Sequence, residues 1–122
     1  MDKSQLIADA IDALRELGVG KDQQNDRSAM TLLALLQLKP GDDWPQATNP
    51  MLGTRAIMDW IRDYYGVDYK PNTRETIRRF TLHQFVIAKL VEENADQPDR
   101  PINSPKWNYR ITKDTLNMLR HR

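Results

Sequence analysis

RAIMDWIRDYYGVDYKPNTRETIRRFTLHQFVIA, residues 55–88, decides the fold. Ile57, Met58, Ile61 and Tyr65 recur at helical spacing, so residues 55–65 read as a helix with one inner face. Thr54 is placed to cap it and Gly66 to end it. A short link, VDYKP, leads to Asn72-Thr73-Arg74-Glu75, a capping-box pattern, and a second helix is expected over 73–88. The turn between them spans about six residues, the spacing of a helix-turn-helix pair. The second helix is polar in its first turns and apolar on most sides from Leu82 to Ile87. That is the pattern of a recognition helix that exposes its start and buries its end.

Upstream, Leu6, Ile7, Ala10, Ile11, Leu14 and Leu17 mark a helix over about 4–17, with Ser4 as cap and Gly18 as stop. A second helix over about 26–38 carries MTLLALLQL, apolar nearly all round, and should be the most buried of the chain, with Pro40-Gly41 as its stop. PGDDWPQATNPMLG, residues 40–53, is loop. Downstream the period changes to two. Residues 90–94 and 107–111 read as a hairpin around a loop with Pro98, Pro101 and Pro105, and a last helix covers 114–120. The expected fold is mainly α, a winged helix-turn-helix with extra N-terminal helices and a C-terminal two-stranded wing, in a single domain over 1–122.

Composition narrows the function. At 122 residues the chain suits one domain, and 39% apolar with periodic Leu and Ile is enough for a core. The absence of cysteine excludes disulfide scaffolds, thiolate zinc sites and cysteine nucleophiles, and fits a reducing cytoplasm. The longest apolar run, Leu32 to Leu36, is far short of the ~20 residues of a membrane span, and no signal-peptide pattern opens the chain. The net charge of +1 conceals an asymmetry. Residues 1–66 carry 7 basic and 10 acidic side chains, residues 67–122 carry 11 and 7. A basic C-terminal half points to an anionic partner, nucleic acid first.

The residue types at the start of the fourth helix suit DNA. Arg74 and Arg78 share a face and Arg79 lies further round. Arginine reads guanine O6 and N7 and also neutralises phosphate. Asn72, Thr73 and Thr76 add short hydrogen-bonding groups. Arg100, Asn103, Ser104 and Lys106 place donors on the wing loop. Gln24, Asn25 and Arg27 form a further polar cluster that suits either adenine edges or helix capping. The alternative for the arginine face is a solvated surface laced by Glu75–Arg79 pairs. Phe80 falls on the side of Ile77, which favours burial; the alternative is exposure in the groove, where it could touch a thymine methyl. Lys89 stands where a helix exit favours glycine.

No catalytic constellation emerges. His83 and His121 lack ligand-spaced partners. Asp68-Tyr69-Lys70 matches the short D-x-K element of nuclease metal sites, with Asp59 or Asp63 upstream, but falls in a link between helices where carboxylates do not converge on Mg²⁺. No metal or cofactor is expected in this chain.

The segments QQNDRSAMTLLALLQLKPGDDW, IMDWIRDYYGVDYKPNTRETIRRFTLHQFV and RPINSPKWNYRIT resemble the N-terminal domain of the BsuBI/PstI-type type II restriction endonucleases, over roughly Leu6 to Leu119. The resemblance implies a winged-helix-like domain ahead of a separate Mg²⁺-dependent nuclease domain, in an enzyme that cuts palindromic double-stranded DNA as a homodimer. By resemblance Asn72, Thr73, Arg74, Arg78 and Arg79 contact DNA, and Gln24, Asn25 and Arg27 match the family's loop motif. Without the nuclease domain this chain is expected not to cut DNA, whether it is an excised module or a complete relative. The competing expectations are a free-standing winged-helix regulator or restriction-system controller, and a protein-interaction domain whose basic half meets an acidic partner.

Overall fold

The computed structural model describes residues 1–122. Five helices and one two-stranded sheet follow in the expected order. They are α1 Lys3–Glu16, α2 Asp26–Leu36, α3 Thr54–Tyr65, α4 over residues 73–87, β1 Val91–Glu93, β2 Tyr109–Ile111 and α5 Lys113–Arg120. The protein is mainly helical, a helix-turn-helix (α3 and α4) with a two-stranded wing and two helices ahead of it.

α2 is the centre. Every residue from Ser28 to Leu36 is buried, as its unbroken apolar run requires. α1, α3, α4 and β2 all pack on it. Three helices end in the same way. The N–H of Val19 bonds to the carbonyl of Leu14, that of Leu38 to Leu33 and that of Leu90 to Phe85, each over a left-handed residue: Gly18, Gln37 and Lys89. The apolar residue that follows (Val19, Leu38, Leu90) is buried in all three, the Schellman arrangement. Lys89 thus occupies the left-handed region at φ 62°. α2 stops at Leu36, before Pro40-Gly41, because Gln37 already adopts the left-handed turn.

The caps differ in part from expectation. Asp2, rather than Ser4, caps α1 and forms a reciprocal box with Gln5. Gly53 precedes α3, with Thr54 its first residue. At α4 no capping box forms: Asn72 is itself helical and its side chain accepts no cap bond. Backbone turns from Thr73 to Lys70 and from Arg74 to Pro71 satisfy the first N–H groups instead, and Glu75 is drawn to Arg78.

α4 is not uniform. Thr73–Thr76 and His83–Ile87 are α-helical, and Ile77–Leu82 forms a wide π turn. The wide turn stacks residues four apart in rows. Ile77, Thr81 and Phe85 make the buried row, and Glu75, Arg79 and His83 the exposed one. Phe80 therefore lies outside, 54% exposed, against the expected burial. Thr81 takes the inner place beside it and accepts a hydrogen bond from Arg27 Nε at 3.2 Å.

The wing is antiparallel, with Val91 opposite Ile111, Glu92 opposite Arg110 and Glu93 opposite Tyr109. Leu52, just ahead of α3, exchanges two backbone bonds of 2.9 Å with Tyr109, tying the wing to the helix-turn-helix. The strands are shorter than 90–94 and 107–111, because Asn94 turns left-handed at φ 48° and its side chain accepts from the Asn108 N–H. α5 is capped by Thr112. Beyond it, Arg122 pairs with Asp9 and Glu16 of α1.

Candidate nucleic-acid interface

Two adjoining clefts separate α4 from the wing loop. The first, about 300 Å³, lies between the start of α3 (Gly53, Thr54, Arg55), Arg74 and Arg78 of α4, and Ile102 to Pro105 of the loop. The second, about 370 Å³, runs between Arg78, Arg79 and His83 on one side and Glu93, Ile102 and Tyr109 on the other. Arg78, Ile102 and Trp107 border both, so the two form one groove along α4.

The groove is cationic. Arg55 and Arg74 of its lining make no ion pair, nor does Lys106 on the adjoining loop. Arg78 donates two hydrogen bonds to Glu75, at 2.7 and 3.2 Å, and Arg79 Nε stands 3.5 Å from the same carboxylate. The Arg78 guanidinium, chiefly by its hydrogen bond, holds the Glu75 carboxyl below its ordinary range. One acid against three arginines leaves α4 with net positive charge on its open side. The expected Glu75–Arg79 pairing is present but long, and Arg79 stays well exposed. Tyr109 forms part of the wing wall, and burial pushes its phenol up to about 12.

The wing loop is built around Arg100. Its guanidinium is buried and bonds to Asp96 through both nitrogens (3.1 and 2.8 Å), to the Asn94 side chain and to the Lys106 carbonyl. Asn108 also donates to Asp96 and to the Lys106 carbonyl. Arg100, and then Asn108, hold the Asp96 carboxyl far below its ordinary range. Against the expectation that Arg100 offers its donors to DNA, its side chain is buried and makes four hydrogen bonds inside the loop. What the loop offers outward is Asn103, Lys106, the half-buried Ser104 and Ile102, which is 81% exposed.

The remaining candidates divide. Arg74, Arg78 and Arg79 converge with Asn103 and Ser104 on the groove; Lys106 is exposed on the same loop outside the lining, and Asn72, Thr73 and Thr76 lie at the start of α4, also outside it. The loop cluster is half-buried and bonded within the chain. Asn25 caps α2 through the Ser28 N–H, Gln24 donates to the Val19 carbonyl, and Arg27 to Thr81. Arg55 and Ile102 escaped the sequence reading. Arg55 carried a signal: a cation in the first turn of a helix opposes the helix dipole, unless an anion is to be held there.

Around Arg62, Asp59 at 3.3 Å and Asp63 at 3.1 Å enclose a guanidinium, with Asp68 nearby. These carboxylates of the D-x-K pattern surround a cation of the chain itself, and no three His, Asp or Glu side chains converge as metal ligands. No helix is long and apolar enough to cross a membrane.

The fold and its groove define a winged helix-turn-helix domain with a basic face between recognition helix and wing. The family model described as the BsuBI/PstI restriction endonuclease HTH domain matches residues 4–122, and the chain belongs to that family. It is 46% identical over 114 residues to the type II restriction enzyme BsuBI of Bacillus subtilis, covering 93% of this chain and 36% of that protein. It is 36% identical over 116 residues to the type II restriction enzyme AplI of Arthrospira platensis, covering 95% and 36%. The structure of SdaI restriction endonuclease superposes with a TM-score of 0.88 at 37% identity, over 93% of this chain and 36% of that one. The chain thus spans about a third of the length of the relatives it matches.

Proposed function

We propose that this chain binds double-stranded DNA and helps a type II restriction endonuclease find or hold its site. The observation that carries the reading is the continuous groove along α4, lined by Arg55, Arg74, Arg78 and Arg79 and walled by the wing. A recognition helix in the major groove and a wing beside it leave one sugar-phosphate strand between them, and a cationic groove of this shape suits that strand. Arg74, Arg78 and Arg55 then hold phosphates, Lys106, Asn103 and Ser104 hold the same strand from the wing, and Arg79 faces the bases. Asn72, Thr73 and Thr76 serve the approach to the helix start.

Cleavage in the parent enzyme belongs, on this reading, to a separate Mg²⁺-dependent domain acting in a homodimer in the cytoplasm. Asp59 and Asp63, the carboxylates upstream of the D-x-K pattern, are paired with Arg62. The test is a titration of the chain with duplex DNA across a range of salt. Each phosphate contact contributes about −0.9 to the slope of log K against log salt, so a handful gives a slope of a few units. Binding that ignores salt, or cleavage by the pure chain with Mg²⁺, refutes the proposal.

A further inference from the structure

We propose that Phe80 is a specificity-determining residue that packs against the C5 methyl of a thymine in the major groove; this rests on the DNA-binding reading above. Phe80 and Thr81 are adjacent, and their places are reversed relative to their chemistry. The threonine is fully buried and the phenylalanine is 54% exposed. The usual distribution buries the aromatic ring and leaves the hydroxyl in water. A local choice that works against the fold is where function is to be sought. The device that produces it is the π turn over Ile77–Leu82, which turns the Ile77–Thr81–Phe85 row inward and leaves Phe80 beside the outermost row, Glu75–Arg79–His83. Such π turns recur at functional sites.

The surroundings choose the partner. Arg78 and Arg79 precede Phe80 directly, and Arg79 is 69% exposed in its side chain. An apolar protein surface laid on Phe80 would strip water from these cations with nothing to replace it. Duplex DNA neutralises them with phosphate and guanine. It presents one apolar group on its major-groove edges, the thymine methyl. Phe80 borders neither cleft, so it faces the bases from the side away from the strand held against the wing.

The experiment uses duplexes recovered by this chain from a random pool, each thymine replaced in turn by deoxyuridine, which removes only the methyl. One replacement is expected to weaken binding about fourfold, the worth of one buried methyl. With Phe80→Ala the same replacement should have no effect, while the melting temperature holds, because Phe80 is exposed. Phe80→Leu, which keeps an apolar contact, should retain part of the discrimination. Indifference of the unaltered chain to every replacement overturns the proposal, as does equal sensitivity in Phe80→Ala. Absence of any salt-dependent duplex binding shows instead that the DNA-binding reading has failed, and the Phe80 role with it.

Discussion

Arg78 is held by Glu75 through two hydrogen bonds, of 2.7 and 3.2 Å, at the point where the two clefts meet. The pair lies three residues apart on the open side of α4. A phosphate that approaches Arg78 must share the guanidinium with this carboxylate. On the proposed reading, Glu75 would act as a brake on anion binding as well as a positioning partner.

Replacing that carboxylate by an uncharged isostere should release the brake. Glu75→Gln is expected to raise affinity for duplexes of any sequence and to steepen the salt slope by about one unit. Fluorescence anisotropy at several salt concentrations measures both. Unchanged affinity would place the DNA strand elsewhere than in this groove.

Arg79 and Lys106 should fail differently. An arginine bidentate to guanine contributes about 1–3 kcal/mol of discrimination, so Arg79→Ala should flatten the preference between a selected and a scrambled duplex. Lys106→Ala should weaken both alike and lower the salt slope by about one. A competition titration separates the two patterns; the same pattern for both variants would deny the division of roles.

Arg100 is expected to act through the loop alone. Arg100→Ala removes four hydrogen bonds within 94–106, so the wing loosens and duplex affinity falls. The salt slope should stay put, since no phosphate contact is lost. A slope lowered by one unit would return Arg100 to the DNA backbone.

The same network predicts an acid response. Asp96 has its carboxyl pKa depressed in the folded chain by Arg100 first and Asn108 second. A depressed folded value contributes stability that is full above the unfolded pKa of about 3.9 and is lost as pH falls through the folded value. The wing should hold its structure through neutral and mildly acid pH and open only below the ordinary carboxylate range. The NMR signal of the Trp107 indole, whose N–H donates to Glu93 at 2.9 Å, reports the opening. Asp96→Asn should remove the contribution of this group to the transition.

Lys89 offers a stability test far from the groove. Its left-handed conformation strains any residue with a Cβ. Lys89→Gly should relieve that strain and, after the added freedom of the unfolded chain, stabilise the domain by about 0.5–1 kcal/mol. Thermal melts decide it, and a lower melting temperature would show that the lysine is favoured there for another reason.

Much of this was legible in the residues. Apolar spacing marked all five helices, because a helix that buries one face must repeat its apolar residues every three or four positions. The run from Met30 to Leu38 announced the central helix, and Trp107 to Ile111 the returning strand. Left-handed Lys89 could be foreseen from its place between a helix end and a buried Leu90. The resemblance carried by KPNTRETIRR pointed to the family that the comparison then showed. What tertiary structure decided were the exceptions to period and charge. A helical wheel assumes a uniform turn, so it put Phe80 inside; the π turn, in which Ile77, Thr81 and Phe85 share the buried row, put it outside. A loop arginine reads as a solvent-facing cation, yet Arg100 is buried, because Asp96, Asn94 and the Lys106 carbonyl are brought around it only when the wing folds. Arg55 and Ile102, 47 residues apart in the chain, meet across one cleft for the same reason: Leu52 pairs with Tyr109, and no local pattern records that bond.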